Sequence, residues 1–189
     1  YHILLSHFHW DHIQGLPFLD QAYMKNCKII FYSVFPYAKQ ILSRQMDLPY
    51  FPVQFDTGFF ADISFQLGTP GVPFQIGAFT VVAKKMSHPG NSYAYSFVEE
   101  DKKVIYATDV ELSSKDFEDS PMNSSYFTDA NAIILDTQYT VEEALYKANW
   151  GHSAFSLAVD FATRWNIKKM YLFHHEPTYD DKKLNSILQ

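Results

Sequence analysis

Four side chains that can bind metal ions occur within six residues near the start of the chain, in the sequence His7-Phe8-His9-Trp10-Asp11-His12. They follow a short apolar run that predicts a buried strand. His7 and His9 are two residues apart, so an extended backbone points both imidazole rings to one side. Asp11 and His12 are adjacent and must point differently, which suits a second ion beside the first. Two divalent ions about 3.5–4 Å apart can clamp the attacking and leaving oxygens of a hydrolysis.

Further candidate ligands stand where predicted strands end. His88 follows one such strand and opens a Pro-Gly turn, which places it well to face a cleft. Asp109 follows another strand, and a carboxylate at a strand end can bridge two cations with its two oxygens. His174 and His175 follow the last predicted strand, and either of them could supply one more nitrogen ligand.

The elements that must position these residues are predicted from hydrophobic periodicity and from turn residues. The predicted strands lie at 28–33, 62–67, 74–76, 79–86, 93–99, 103–107, 132–135 and 169–173. The strands from 62 to 107 follow one another closely and predict an antiparallel meander. The predicted helices lie at 13–23, 37–45, 141–148, 153–165 and 180–188, and the segments 46–56 and 113–127 are predicted to be irregular.

Composition bounds the class of protein. The chain has 189 residues, of which 47% are apolar, and this is enough for one sizeable core and predicts one domain. It has no apolar run of about 18 residues, so no membrane helix is expected. The net charge is −6 and the basic residues are scattered, which argues against an extended nucleic-acid surface. The one cysteine, Cys27, excludes an internal disulfide and is compatible with a reducing cytoplasm.

The H-x-H-x-D-H string resembles the metallo-β-lactamase superfamily of binuclear hydrolases. The resemblance implies an α/β fold, the αββα sandwich, with the metals at one edge and residues 1–189 forming a single domain. In the resembled fold several strands precede the metal loop. The resemblance therefore implies that this chain lacks the N-terminal strands and is N-terminally incomplete.

The resemblance also implies a set of seven metal ligands. Asp109 stands in the Thr-Asp context of the bridging carboxylate, and His174 fits the family pattern L-x-H better than His175 does. The donor set contains nitrogen and oxygen but no sulfur, which suits Zn²⁺, Mn²⁺ or Fe²⁺. The implied ligands are His7, His9 and His88 on one ion, Asp11, His12 and His174 on the other, and Asp109 between the two.

A second pair of residues resembles the phosphodiesterase branch of the superfamily, which includes RNase Z and cyclic phosphodiesterases. Asp136 ends a predicted strand, and His152 follows it in a His-Ser context. In that branch an acidic residue holds a histidine that is not a ligand. The carboxylate keeps the ring charged, and the free ring nitrogen stabilises phosphoryl oxygens or protonates the leaving oxygen. RNase Z has Glu at the acidic position, where this chain has the shorter Asp. Asp11, Asp136 and His152 are therefore predicted to be catalytic.

The expected activity is hydrolysis of a small or cyclic nucleotide-like phosphodiester by a metal-bridging hydroxide. Tyr50, Phe51 and Tyr139 are candidates for stacking on a base. RNase Z itself is disfavoured because the chain lacks a Gly-rich, basic insertion that could grip tRNA. Alternatives are a lactone, ester or thioester hydrolase of the same fold, an RNase Z-like ribonuclease, and a sensor that binds a nucleotide through the metals without turnover. The expected partner is a small substrate rather than a membrane, and a homodimer contact through Tyr50 and Phe51 is left open.

Overall fold

The computed structural model describes residues 1–187 and divides the chain into two compact units, Tyr1–Val72 and Pro73–Gln189. Within the described residues, both units contain strands and helices. No helix in this part of the chain has the length and apolar character needed to cross a membrane. One parallel and one mixed sheet, both with helical connections, confirm the predicted α/β class, and the prediction of a single domain stays a prediction.

The first unit is built on a parallel sheet in the order β1-β2-β3, formed by His2–Leu4, Lys28–Ser33 and Asp62–Leu67. Parallel strands need crossover connections, and here these contain short helices. The helices are α1 (Trp10–Ile13), α2 (Ala38–Arg44) and α3 (Phe55–Gly58), with 3-10 turns at Leu16–Phe18 and Asp20–Tyr23. They cover a core in which Ile29, Phe31, Leu42 and Met46 are fully buried.

Two predictions for this unit are wrong. The helix predicted at 13–23 is replaced by one α-helical turn and two 3-10 turns, because Pro17 lacks the N–H that would continue a helix. The strand at 62–67 exists, but it pairs in parallel with β2 and takes no part in the antiparallel meander. The long connection through α2 and α3 returns the chain to the same end of the sheet, and this makes the parallel pairing possible.

The second unit is built on a mixed sheet in which the strand order follows the sequence. Strands β4 to β7 form an antiparallel meander, and β7, β8 and β9 run parallel to one another. Gly77 and Glu100 have positive φ angles, 57° and 53°, in the tight turns before β5 and β7. The strands are β4 (Phe74–Ile76), β5 (Phe79–Met86), β6 (Ser92–Glu99), β7 (Lys102–Ala107), β8 (Ala132–Asp136) and β9 (Met170–Phe173).

Helices fill the crossovers of this unit and cover its core, where Phe127, Ile133 and Phe161 are fully buried. The segment 113–127, predicted to be irregular, contains two helices because serine residues cap both of their N-termini. The last helix was predicted to reach residue 188, which lies outside the described residues. The helices are α4 (Ser114–Phe117), α5 (Pro121–Phe127), α6 (Val141–Tyr146), α7 (Phe155–Arg164) and α8 (Asp181–Ile187).

Candidate metal centre and catalytic dyad

The first unit brings its histidines together directly after β1. The His7 ring is buried and lies 4.5 Å from the His9 ring and 4.3 Å from the His12 ring, measured between ring centroids. Ser6 Oγ contacts His7 Nδ1 at 3.1 Å, and this bond fixes the orientation of the ring. Asp11 Oδ2 is 3.1 Å from His12 Nε2. The four residues singled out in the sequence therefore form one compact cluster of nitrogen and oxygen donors.

The second unit collects its candidate residues at one edge of the sheet. Asp109 follows β7, Asp136 ends β8 and His174 follows β9, and the carboxyl ends of parallel strands meet at the same edge. Asp109 and His174 have positive φ angles, 56° and 59°. Such backbone conformations cost energy in residues other than glycine and cluster at functional sites. One nitrogen or oxygen from each of Asp109, Asp136, His152 and His174 lies within 4.8 Å of the others.

Asp109 stands between two of the histidines. Its Oδ1 atom is 3.8 Å from His88 Nε2 and 3.4 Å from His174 Nε2. The Thr108 hydroxyl donates to the other oxygen, Oδ2, at 2.6 Å. Ligand atoms about 2.0–2.2 Å from a tetrahedral zinc ion stand roughly 3.3–3.6 Å apart. The 3.4 Å separation between Asp109 and His174 lies in this range, and the 3.8 Å separation between Asp109 and His88 is slightly longer. Among the described residues, His174 rather than its neighbour His175 is the one brought to Asp109.

His88 is held on its other side by the backbone. Its Nδ1 atom lies 2.8 Å from the carbonyl oxygen of Gly151. A carbonyl oxygen only accepts, so Nδ1 carries the proton and, in the neutral ring, Nε2 keeps its lone pair. Metal-binding histidines are commonly oriented in this way by a carbonyl or carboxylate on the second nitrogen. The donor chemistry and this orientation fit a divalent ion.

Asp136 and His152 form the hydrogen-bonded pair that the sequence predicts. His152 Nδ1 donates to Asp136 Oδ2 at 2.7 Å, and the carboxylate is completely buried. Backbone N–H groups donate to the same carboxylate, each at 3.2 Å, from Val110, Gln138 and Ser153. Four donors occupy the two oxygens, so Asp136 is suited to hold His152 rather than to bind a metal ion.

His152 is stacked on His174, with ring centroids 4.9 Å apart and planes 14° apart. It also makes an edge contact with the His88 ring, at 5.2 Å. A histidine that is not a predicted ligand therefore lies against two that are.

Tyr139 borders the same edge but does not offer a surface for stacking on a base. It is only 2% exposed, and its ring packs edge-on against His152. The expectation that it stacks on a base is therefore wrong, whereas Tyr50 in the first unit is 77% exposed. Burial, assisted by the negative charge of Glu176, raises the pKa of Tyr139 to about 12, so its hydroxyl stays protonated. Lys147 lies 4.3 Å above the Tyr139 ring.

Sequence reasoning missed the residues that support the predicted ones. Glu111 accepts hydrogen bonds from the loop that contains Gly151, and the Ser153 hydroxyl donates to the carbonyl of Val110 at 2.5 Å. Glu111 lies outside every element that the sequence predicts. The only available signal was its position two residues after Asp109.

A family model described as the Beta-lactamase superfamily domain matches residues 1–175. The chain belongs to the beta-lactamase superfamily. Members of this superfamily are mostly metal-dependent hydrolases, and clusters of His and Asp in this chain could hold metal ions. No curated protein matches the chain.

Solved structures with the same fold include the metallo-beta-lactamase fold protein YhfI from Bacillus subtilis. YhfI is 18% identical, with a TM-score of 0.74 over 98% of this chain and 68% of its own. The short form of human tRNase Z is 19% identical, with a TM-score of 0.68 over 94% of this chain and 73% of its own. Unliganded yeast PDE1 is 16% identical, with a TM-score of 0.71 over 99% of this chain and 60% of its own. Such identities show the fold alone, and the predicted metallo-β-lactamase fold is confirmed.

Proposed function

We propose that this superfamily member is a binuclear metal-dependent phosphodiesterase that cleaves a small or cyclic nucleotide-like phosphodiester. The observation that carries the proposal is the 2.7 Å hydrogen bond between Asp136 and His152 beside Asp109 and His174. When bound, two divalent ions would lower the pKa of a water molecule and offset the negative charge of the phosphoryl oxygens. The proposed ligands are His7, His9 and His88 for one ion and Asp11, His12 and His174 for the other, with Asp109 bridging.

His152 is the proposed general acid. Its Nδ1–H is committed to Asp136, so Nε2 is the ring atom that can give a proton to the leaving oxygen of the diester. Cleavage of the P–O bond leaves an alkoxide, and transfer of the Nε2 proton to it yields a neutral alcohol. Asp136 keeps the ring in one orientation throughout, because four donors surround its oxygens and hold the carboxylate in place.

A phosphodiester is favoured over a lactone or thioester because its cleavage needs both the metal ions and the Asp136–His152 pair. Its cleavage develops negative charge on phosphoryl oxygens and on a poor leaving group, and a positioned imidazole serves both. Human tRNase Z and yeast PDE1, whose chains share this fold, carry the names of phosphodiester-cleaving enzymes. A small substrate is proposed because the scattered basic residues and the charge of −6 do not suit a long nucleic acid.

The test compares two substrates on the same protein. The purified protein is loaded with Zn²⁺ or Mn²⁺, and hydrolysis of bis(p-nitrophenyl) phosphate and of a simple lactone is measured in parallel. The proposal expects diester cleavage that is lost in Asp11→Ala and kept in the control Asp160→Ala, which changes an exposed residue of α7. Cleavage of the lactone alone would refute the phosphodiesterase assignment.

A further inference from the structure

We propose that Glu111 is a positioning residue that holds the metal ligand His88 in place through the backbone of Gly151. This inference rests on the part of the proposed function in which His88 is a ligand. Both oxygens of the Glu111 carboxylate are engaged: Asn149 N–H donates to Oε1 at 2.8 Å, and Gly151 N–H donates to Oε2 at 2.9 Å. One side chain thus fixes two backbone positions of the loop that faces His88.

The loop in turn fixes the imidazole. The Gly151 carbonyl accepts from His88 Nδ1 at 2.8 Å, so in the neutral ring the lone pair is on Nε2, the atom that lies 3.8 Å from Asp109 Oδ1. The Gly151 peptide group that precedes this carbonyl is held by Glu111. Loss of the Glu111 carboxylate would therefore release the acceptor that sets the orientation and proton position of His88.

Glu111 is also hydrogen-bonded to the segment just after β5 that contains His88. Its backbone N–H donates to the carbonyl of Ser87, the residue before His88, at 2.8 Å. The backbone of Glu111 therefore holds the main chain next to His88, while its side chain holds the loop that contacts the His88 ring. This double attachment is what distinguishes Glu111 from an ordinary loop anchor.

The loop approaches the ring more closely than a side chain would allow. Gly151 has a φ of +94°, and a Cβ atom placed on it would lie 2.3 Å from His88 Nδ1 and 2.4 Å from Pro89 Cδ. Asn149 also has a positive φ, 68°. The left-handed conformation of Asn149 costs energy in a residue other than glycine, and the hydrogen bonds from this loop to Glu111 offset that cost.

The experiment measures Zn²⁺ binding rather than turnover. Wild type, Glu111→Ala, Glu111→Gln and His88→Ala are titrated with Zn²⁺ against a chromogenic chelator, and unfolding of the metal-free proteins by urea is followed separately. Removal of residues that orient metal ligands costs roughly 10–100-fold in metal affinity, so Glu111→Ala is expected to weaken one of two binding events by that factor. Glu111→Gln should lose less, because its amide oxygen still accepts one of the two bonds.

The control variant is Glu118→Ala. Glu118 is exposed, and its side chain makes no hydrogen bond within the described residues 1–187, so its Zn²⁺ affinity should equal that of wild type. A merely structural role for Glu111 would lower the stability of the metal-free protein and leave the Zn²⁺ affinity of the folded protein unchanged.

Two outcomes separate the inference from the proposed function. If His88→Ala loses one binding event while Glu111→Ala stays within about twofold of wild type, the role of Glu111 is refuted. If His88→Ala keeps both events, His88 is not a ligand, and the metal assignment and the role of Glu111 are refuted together. If Glu111→Ala does not fold, Glu111→Gln decides, and wild-type affinity in that variant would overturn the inference.

Discussion

Replacement of Asp136 by asparagine changes one buried oxygen into an amide nitrogen and leaves the shape of the side chain the same. In the native protein Asp136 Oδ2 accepts from His152 Nδ1 at 2.7 Å and from Val110 N–H at 3.2 Å. Its Oδ1 accepts from Gln138 N–H and Ser153 N–H, each at 3.2 Å. All four neighbours are donors, so an amide group cannot satisfy them in either orientation.

The expected loss of stability follows from the number of hydrogen bonds that the substitution breaks. Whichever way the new amide group of Asp136→Asn turns, its NH₂ faces two donors and two hydrogen bonds are lost. A hydrogen bond to a buried charged group contributes about 1.5–3 kcal/mol, so the free energy of unfolding should fall by about 3–6 kcal/mol. If the NH₂ faces His152, it also removes the acceptor that orients the imidazole, and turnover should fall with stability.

Urea unfolding of the metal-free proteins measures this change. Excess chelator removes any contribution of bound metal to stability. The matched control is Asp160→Asn on the exposed face of α7, which should change the free energy of unfolding by less than about 0.5 kcal/mol. A loss below about 1 kcal/mol in Asp136→Asn would show that the buried hydrogen bonds described above do not hold the carboxylate.

Three further changes follow from the same structure. Gly151→Ala should weaken Zn²⁺ binding about tenfold or more, because the new Cβ would meet the His88 ring; unchanged binding in a chelator competition would contradict the close approach. Burial raises the pKa of Glu143, but hydrogen bonds, including one from Tyr179, lower it to about 2, so Glu143 stabilises the fold above about pH 4.5 and this contribution is lost as the pH falls toward 2. Glu143→Gln should therefore lower the free energy of unfolding, measured with urea, more at pH 6 than at pH 3. An equal effect at both pH values would refute the lowered pKa of Glu143. Phe161→Ala should lower the free energy of unfolding by about 3–5 kcal/mol, because the ring is fully buried; a loss below about 1 kcal/mol would mean that the α7 core is loosely packed.

The strands could be predicted from the sequence because local patterns of apolar and turn residues define them. Strands β2, β3 and β5 begin and end where apolar alternation meets turn residues, and their observed bounds match the predicted ranges. The pairing of β3 was not readable, since parallel and antiparallel neighbours give similar short patterns. The helix predicted at 13–23 failed because the spacing of its apolar residues was given more weight than Pro17, which ends regular helix there.

The candidate site could be predicted from the sequence where metal-binding or acid–base residues follow the ends of predicted strands. Asp109, Asp136 and His174 stand where the parallel strands of the second sheet end, and this places them together. The supporting contacts were hidden because they depend on tertiary geometry. Glu111 reaches the backbone of a loop 40 positions away, and the left-handed conformation of Gly151 has no signature beyond the glycine itself.

The most direct test of the proposed mechanism is the turnover of bis(p-nitrophenyl) phosphate by His152→Ala, measured together with its metal content. A positioned general acid contributes about 10²–10⁴-fold, so kcat should fall by that factor while the variant holds as much Zn²⁺ or Mn²⁺ as wild type. Wild-type kcat in His152→Ala would contradict the general-acid role. A metal content that falls in parallel with activity would contradict it as well, because His152 would then act as a ligand.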